Sequence, residues 1–219
     1  MEKRCGQGIE YYNDGKLRFE GEYLYDYKLR GKFYIDDKLE YEGEYLYNKK
    51  YNGKGYDENG NKIYELINGT GKVKEYWENG KLSLEGEYFN GDGKVKEYYN
   101  NGKLKFEGGY INWKKNGKGK EYHYNGELKF EGEYLNGVRN GKGIEYYDNS
   151  KLKFEGEYLN GVRNGKAKEY DKWNDALIFE GEYKNGERYN GKGKHYNQNG
   201  KLIYESEYKN GKWKKILIK

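Results

Sequence analysis

A five-residue string, aromatic-Glu-Gly-Glu-Tyr, returns along almost the whole chain and constrains its fold more than any other feature. It stands at Phe19–Tyr23, Tyr41–Tyr45, Phe130–Tyr134, Phe154–Tyr158 and Phe179–Tyr183. Leu84–Tyr88 opens with leucine, Phe106–Tyr110 carries Gly109 for the second Glu, and Tyr204–Tyr208 carries Ser206 for the Gly. The third copy, Tyr64-Glu65-Leu66-Ile67, is degenerate. Gly86, Gly108, Gly132, Gly156 and Gly181 lie 22 to 25 residues apart, the spacing of stacked supersecondary units. A second anchor, Gly-Lys-Gly or a near relative, begins at Gly53, Gly117, Gly141, Gly165 and Gly191. Between the anchors come Asp14-Gly15, Asn59-Gly60, Asn79-Gly80, Asn101-Gly102, Asn125-Gly126 and Asn199-Gly200. Such dipeptides predict two-residue type I′ hairpin turns with both residues at positive φ. The expected fold is all-β: an elongated, single-layer, twisted antiparallel sheet of about nine tandem β-hairpins. It is expected as one continuous array over residues 1–219, with a C-terminal strand at 209–219.

Charge sets the register. A two-residue turn at Asn125-Gly126 places Lys120 opposite Glu131 and Lys118 opposite Glu133. The turns at Asn79-Gly80 and Asn101-Gly102 likewise place Lys74 opposite Glu85, Lys72 opposite Glu87 and Lys96 opposite Glu107. Each pair contributes roughly 0.2–1 kcal/mol, and a one-residue slip would lose all five. One face then carries the Lys/Glu ladder with a row at Tyr76, Tyr98, Tyr122 and Tyr146. The other carries, in the 141–158 hairpin, Leu152, Phe154, Gly156 and Tyr158 facing Tyr147, Glu145, Gly143 and Gly141. Glycines leave a flat lane over which rings can lie, so each repeat buries its rings against its neighbours.

That arrangement reconciles a conflict in the composition. Leu, Ile, Val and Phe together fall under the ~20% that flags disorder, and 36% of residues are charged. Yet the chain has 29 Tyr and 34 Gly and no Pro, and disordered segments are poor in aromatics. No apolar run approaches the roughly 20 residues of a membrane helix. Met1–Gly6 has no apolar leader, Glu2 excludes N-myristoylation, and the lone Cys5 fits a reducing, cytoplasmic compartment. His123 and His195 make no metal pair, hydroxyl nucleophiles are scarce, and no catalytic set is visible. A non-enzyme without cofactor or metal is expected.

The strings Tyr41-Glu42-Gly43-Glu44-Tyr45 and Phe154–Tyr158, followed by Asn160-Gly161 and Gly165, resemble MORN repeats. The form Tyr98-Tyr99-Asn100-Asn101-Gly102-Lys103-Leu104 is most similar to the bacterial variant carried by antitoxin-like proteins. The resemblance covers nearly the whole chain. It implies an elongated, curved β-sheet scaffold that holds partner peptides or helices in its groove in some members. In others it implies phosphoinositide or membrane-proximal binding. The sequence departs from the pattern in its third copy and in using Tyr where Trp is usual.

Three surfaces are candidates. On the aromatic face a glutamate recurs at Glu10, Glu75, Glu97, Glu121, Glu145 and Glu169. Each either accepts a hydrogen bond from a neighbouring Tyr hydroxyl or helps form an acidic, aromatic-walled groove for a Lys/Arg-bearing segment of a protein partner. The groove would be lined by Glu75, Glu97, Glu121, Glu145, Tyr88, Tyr110, Tyr134 and Tyr158. The Lys/Glu ladder is the second candidate, but across residues 141–164 Lys142, Lys151, Lys153 and Arg163 are balanced by Glu145, Asp148, Glu155 and Glu157, so no nucleic-acid partner is expected. In the tail, Lys209, Lys212, Lys214, Lys215 and Lys219 meet no acid. With Trp213 and Ile216-Leu217-Ile218 among them, Lys212, Trp213, Lys214 and Lys215 could contact anionic membrane lipid and make the protein membrane-peripheral. The alternative is a closing strand whose lysines protect the edge. The first expected function is an interaction scaffold, the second a peripheral membrane module and the third an antitoxin or immunity-type partner. Oligomeric state is open, with an end-to-end dimer through exposed strands as one form.

Overall fold

The computed structural model describes residues 3–197 and 199–216, all of them strand, turn or extended chain. Contacts divide the chain into two compact units, residues 1–113 and 114–219. The first unit holds β1 (Gly6–Tyr11), β2 (Leu17–Leu24), β3 (Tyr27–Ile35), β4 (Lys38–Leu46), β5 (Lys49–Tyr56), β6 (Lys62–Leu66), β7 (Gly71–Tyr76), β8 (Leu82–Phe89), β9 (Asp92–Tyr98) and β10 (Leu104–Ile111). The second holds β11 (Lys114–Tyr122), β12 (Leu128–Leu135), β13 (Val138–Tyr146), β14 (Leu152–Leu159), β15 (Val162–Tyr170), β16 (Leu177–Lys184), β17 (Glu187–Tyr196), β18 (Leu202–Lys209) and β19 (Lys212–Ile216). In each unit, consecutive strands pair antiparallel as open hairpins.

One interruption occurs in the first unit, where β1–β6 form their own sheet and β7 begins another. The degenerate third copy explains it. Leu66 lies opposite Gly53, where the 141–158 hairpin pairs Gly143 with Gly156. It is almost fully buried, filling the space that glycine leaves elsewhere. The chain then turns at once through Asn68-Gly69, closed only by an isolated Ile67–Thr70 bridge.

All five charge pairs used for the register are present: Lys120–Glu131, Lys118–Glu133, Lys74–Glu85, Lys72–Glu87 and Lys96–Glu107. The turns that set them are not of the expected kind. At Asn125-Gly126 only Gly126 has positive φ, and the Gly126 N–H donates to the His123 carbonyl at 2.8 Å. That is a three-residue loop, a type I turn followed by glycine in the left-handed region. It pairs Tyr122 with Leu128, and a bulge at Glu121/Tyr122 restores the register beyond it. The two-residue type I′ turns lie at the opposite ends of the strands, as at Asn136-Gly137 (φ 52° and 92°) and Asn160-Gly161 (φ 51° and 88°).

The core is a row of rings rather than a centre. Phe19, Phe106, Phe130 and Phe154 are fully buried. In the second unit Phe130 meets Tyr134 and Tyr158 edge-on at 5.6 and 5.4 Å, and Phe154 meets Tyr158 and Tyr183 at 5.6 and 5.4 Å. Such T-shaped pairs add about 0.5–1.5 kcal/mol beyond the area buried. The glycines beneath are obligatory for space: a Cβ on Gly143 would stand 2.4 Å from Phe130 Cε2.

Candidate partner-binding face

A single-layer sheet has no second layer to cover its rings. In the second unit that cover comes from charged side chains of the same chain. The register places Arg139 opposite Tyr134, Arg163 opposite Tyr158 and Arg188 opposite Tyr183. Arg139 lies over the Phe130 ring at 3.9 Å, Arg163 over Phe154 at 4.0 Å and Arg188 over Phe179 at 4.9 Å, within cation–π range. Each guanidinium also binds the glutamate row. Arg139 Nη2 reaches Glu121 at 2.7 Å and its Nη1 reaches Glu145 at 3.5 Å. Arg163 reaches Glu145 at 2.9 Å and Glu169 at 3.3 Å, and Arg188 Nε donates to Glu169 at 3.0 Å. The anchor tyrosines close the arrangement: Tyr134 donates to Glu121 at 2.7 Å, Tyr158 to Glu145 and Tyr183 to Glu169 at 2.7 Å.

Glu145 sits at the centre of this zipper, 9% exposed. Burial alone would raise its pKa. The hydrogen bonds from Arg163 and Tyr158, with the charges of Arg163 and Lys153, overcome that and hold it at about 2. Glu121 and Glu169 are lowered against burial in the same way by Arg139 and Arg188. The Tyr158 hydroxyl is pushed far up by burial and by its bond to Glu145. These are settled ion pairs, not proton-transfer groups.

Of the eight groove residues expected from sequence, Glu121, Glu145, Tyr134 and Tyr158 therefore belong to an internally paired row in the second unit. The arginines that pair with them were not singled out in the sequence. The signal was there, in the repeated Val138-Arg139-Asn140-Gly141 and Val162-Arg163-Asn164-Gly165. The remaining four lie in the first unit. Glu97 accepts from the Tyr110 hydroxyl and has Lys105 Nζ at 3.6 Å. Glu75 differs: its side chain is 40% exposed, and Lys50 Nζ stands 3.8 Å away. Lys50 is itself held by Glu40 at 2.6 Å. Glu75, Tyr88, Glu97 and Tyr110 all line one cavity of about 460 Å³, with Trp77 and Trp113 among its walls.

The ladder face is an alternating network. Tyr98 and Tyr170 donate to Glu85 and Glu155 at 2.6 and 2.7 Å, and burial together with these bonds pushes both hydroxyls up to about 12. Lys120 and Glu131 are 3.6 Å apart. Lys212, Trp213, Lys214 and Lys215 lie on β19, paired to β18 with Trp213 opposite Tyr208. Lys214 pairs with Glu207 at 2.8 Å and Lys215 stacks over Tyr204 at 4.6 Å. Leu217, Ile218 and Lys219 lie outside the described residues. Among the described residues no group of three or more His, Cys, Asp or Glu could hold a metal ion. His195 stacks on Tyr204 at 4.1 Å and is 3.1 Å from Ser206 Oγ.

Open antiparallel hairpins in chain order, with rings capped from within the repeat, define an open β-repeat protein. The family model of the MORN repeat variant matches residues 4–25, 70–90, 91–112, 115–136, 139–160 and 189–210, more than half of the chain, and the chain belongs to that family. No curated protein matches it. MORN repeats are generally protein- or membrane-interaction modules, and the family is generally non-enzymatic. Of the unmatched stretches, 26–69 holds two local departures: a two-residue turn at Asp36-Asp37, and Phe33 where β13 has Glu145.

Proposed function

We propose that this protein is a non-enzymatic interaction scaffold that seats a segment of a partner protein on its aromatic, acidic face. The observation that carries the reading is the uneven filling of that face. At Glu121 and Glu145 arginines of the chain lie over the rings, whereas beside Glu75, Tyr88, Glu97 and Tyr110 a cavity of about 460 Å³ opens between aromatic walls. Its size falls within the range of ordinary ligand sites, and its lining mixes rings with charged side chains.

Radical footprinting with the purified partner tests this. Benzoylphenylalanine at Trp77 first captures the partner. In the purified complex, Tyr110 and Trp113 are then expected to be protected from oxidation, while Tyr146 and Tyr170, whose hydroxyls bond ladder glutamates, keep their free-state rates. Protection confined to the ladder face would overturn the reading.

A further inference from the structure

The pairing of β7, β8 and β9 follows that of β13, β14 and β15, except that β9 is two residues shorter opposite β8 and lacks the bulge of the β14–β15 pair. Gly71 pairs with Tyr88 and Glu75 with Leu84, as Gly141 pairs with Tyr158 and Glu145 with Phe154. On the other side Tyr88 pairs with Gly93, as Tyr158 pairs with Arg163. Glu75 thus occupies the position of Glu145. Three cations of the chain hold Glu145: Arg163 at 2.9 Å, Lys153 at 3.2 Å and Arg139 at 3.5 Å. Their counterparts around Glu75 are Gly93, Ser83 and Gly69. Phe154, the ring on which Arg163 lies, is replaced by Leu84. Four reductions in size, three of them also removing a positive charge, surround one carboxylate.

In β17 the glutamate and its cation are lost together, whereas in β3, where Phe33 replaces the glutamate, Lys50 remains opposite Tyr45. His195 stands at the Glu145 position of β17, and Trp213 stands opposite Tyr208 in place of arginine. Where glutamate is kept at Glu10, Lys28 occupies the corresponding place, 3.0 Å from the carboxylate and 4.3 Å over the Phe19 ring. At Glu75 the cation is Lys50, 3.8 Å away and held more closely by Glu40 at 2.6 Å. Of the cations lining its cavity, Lys50 is held by Glu40 and Lys105 by Glu97, while Arg18 and Lys49 are also on the wall. Glu78 adds a further negative charge.

Building on the scaffold reading above, we infer that the Glu75 niche is a receptor for an arginine side chain presented by the partner segment, which completes in trans the carboxylate–guanidinium–tyrosine arrangement that the second unit completes in cis. Arginine suits the site because its planar fork can bond Glu75 and the Tyr88 hydroxyl together while its stem lies on Leu84. The niche cannot be refilled at position 93: a Cβ on Gly93 would stand 2.0 Å from the Glu87 carbonyl oxygen. It can be refilled at position 83, where the 141–158 hairpin carries Lys153.

The test is a titration of the full chain with acetyl-Gly-Arg-Gly-amide, followed by NMR at the indole N–H groups of Trp77 and Trp113. Saturable shifts are expected for this peptide and not for its citrulline counterpart, which keeps the shape and loses the charge. Glu75→Gln is expected to weaken binding by about tenfold or more, the scale of one charged hydrogen bond. Ser83→Lys is expected to do the same by supplying an internal cation, with the fold checked by its unchanged amide spectrum. Equal response to arginine and citrulline, preference for acetyl-Gly-Glu-Gly-amide, or undiminished binding by both variants would overturn the inference. If a partner protects Tyr110 and Trp113 in the footprint while the arginine peptide leaves the indoles unmoved, the niche falls and the scaffold reading stands.

Discussion

Glu145 shows how a carboxylate becomes part of a hydrophobic core. Its desolvation is unfavourable, and two arginines, a lysine and a tyrosine hydroxyl offset it. Because its folded pKa of about 2 lies below the ordinary value of 4.5, its contribution is present above pH 4.5 and is lost as pH falls through about 2. Glu145→Gln should therefore cost about 3 kcal/mol at pH 7, measured from denaturant midpoints. The gap between the two proteins should close as pH falls from about 4.5 to about 2. A gap that stays constant across that range would show that the charge on Glu145 is irrelevant to stability. The glutamate row was legible in the sequence because it repeats in phase with the anchors. Its partners were harder to see, since Arg163 is 18 residues from Glu145 and meets it only across two paired strands.

At the level of the hairpin, the glycine lane and the rings above it form one unit. Phe130 covers Gly132 and Gly143, Phe154 covers Gly156 and Ala167, and Leu84 replaces the ring where Val95 faces Gly86. Side-chain volume is traded across the pair, as close packing requires. Gly143→Val should accordingly destabilise the protein by about 1–3 kcal/mol through overpacking against Phe130. Adding Phe130→Leu should recover part of the loss, a non-additivity that a thermal-unfolding cycle measures. If the double variant is as unstable as the sum of the singles, the exchange is not what shapes the lane. The sequence showed this lane and its register, because opposed lysines and glutamates mark it. It misplaced the turn geometry, because Asn-Gly satisfies a type I turn with a following left-handed glycine as well as a type I′ turn. The compensating bulge hides the difference from any pattern of charges.

On the scale of the whole chain, stability and the proposed recognition draw on the same arrangement. The second unit closes its aromatic face with its own arginines; the first unit leaves one position of that face unfilled, beside the degenerate copy where its two sheets part. That opening was illegible in the sequence. Gly69, Ser83 and Gly93 are unremarkable apart, and the β8–β9 hairpin lacks the bulge that the β14–β15 hairpin has, so the correspondence emerges only from the strand pairing. The net charge of +5 likewise conceals a face on which one carboxylate lacks the close cation cluster of its counterpart. A crystal structure of the full chain with acetyl-Gly-Arg-Gly-amide is the most direct measurement. Density for the guanidinium against Glu75 and Tyr88, with its stem on Leu84, is the predicted result. A guanidinium bound on the Lys/Glu ladder, with the Glu75 niche still empty, would contradict it.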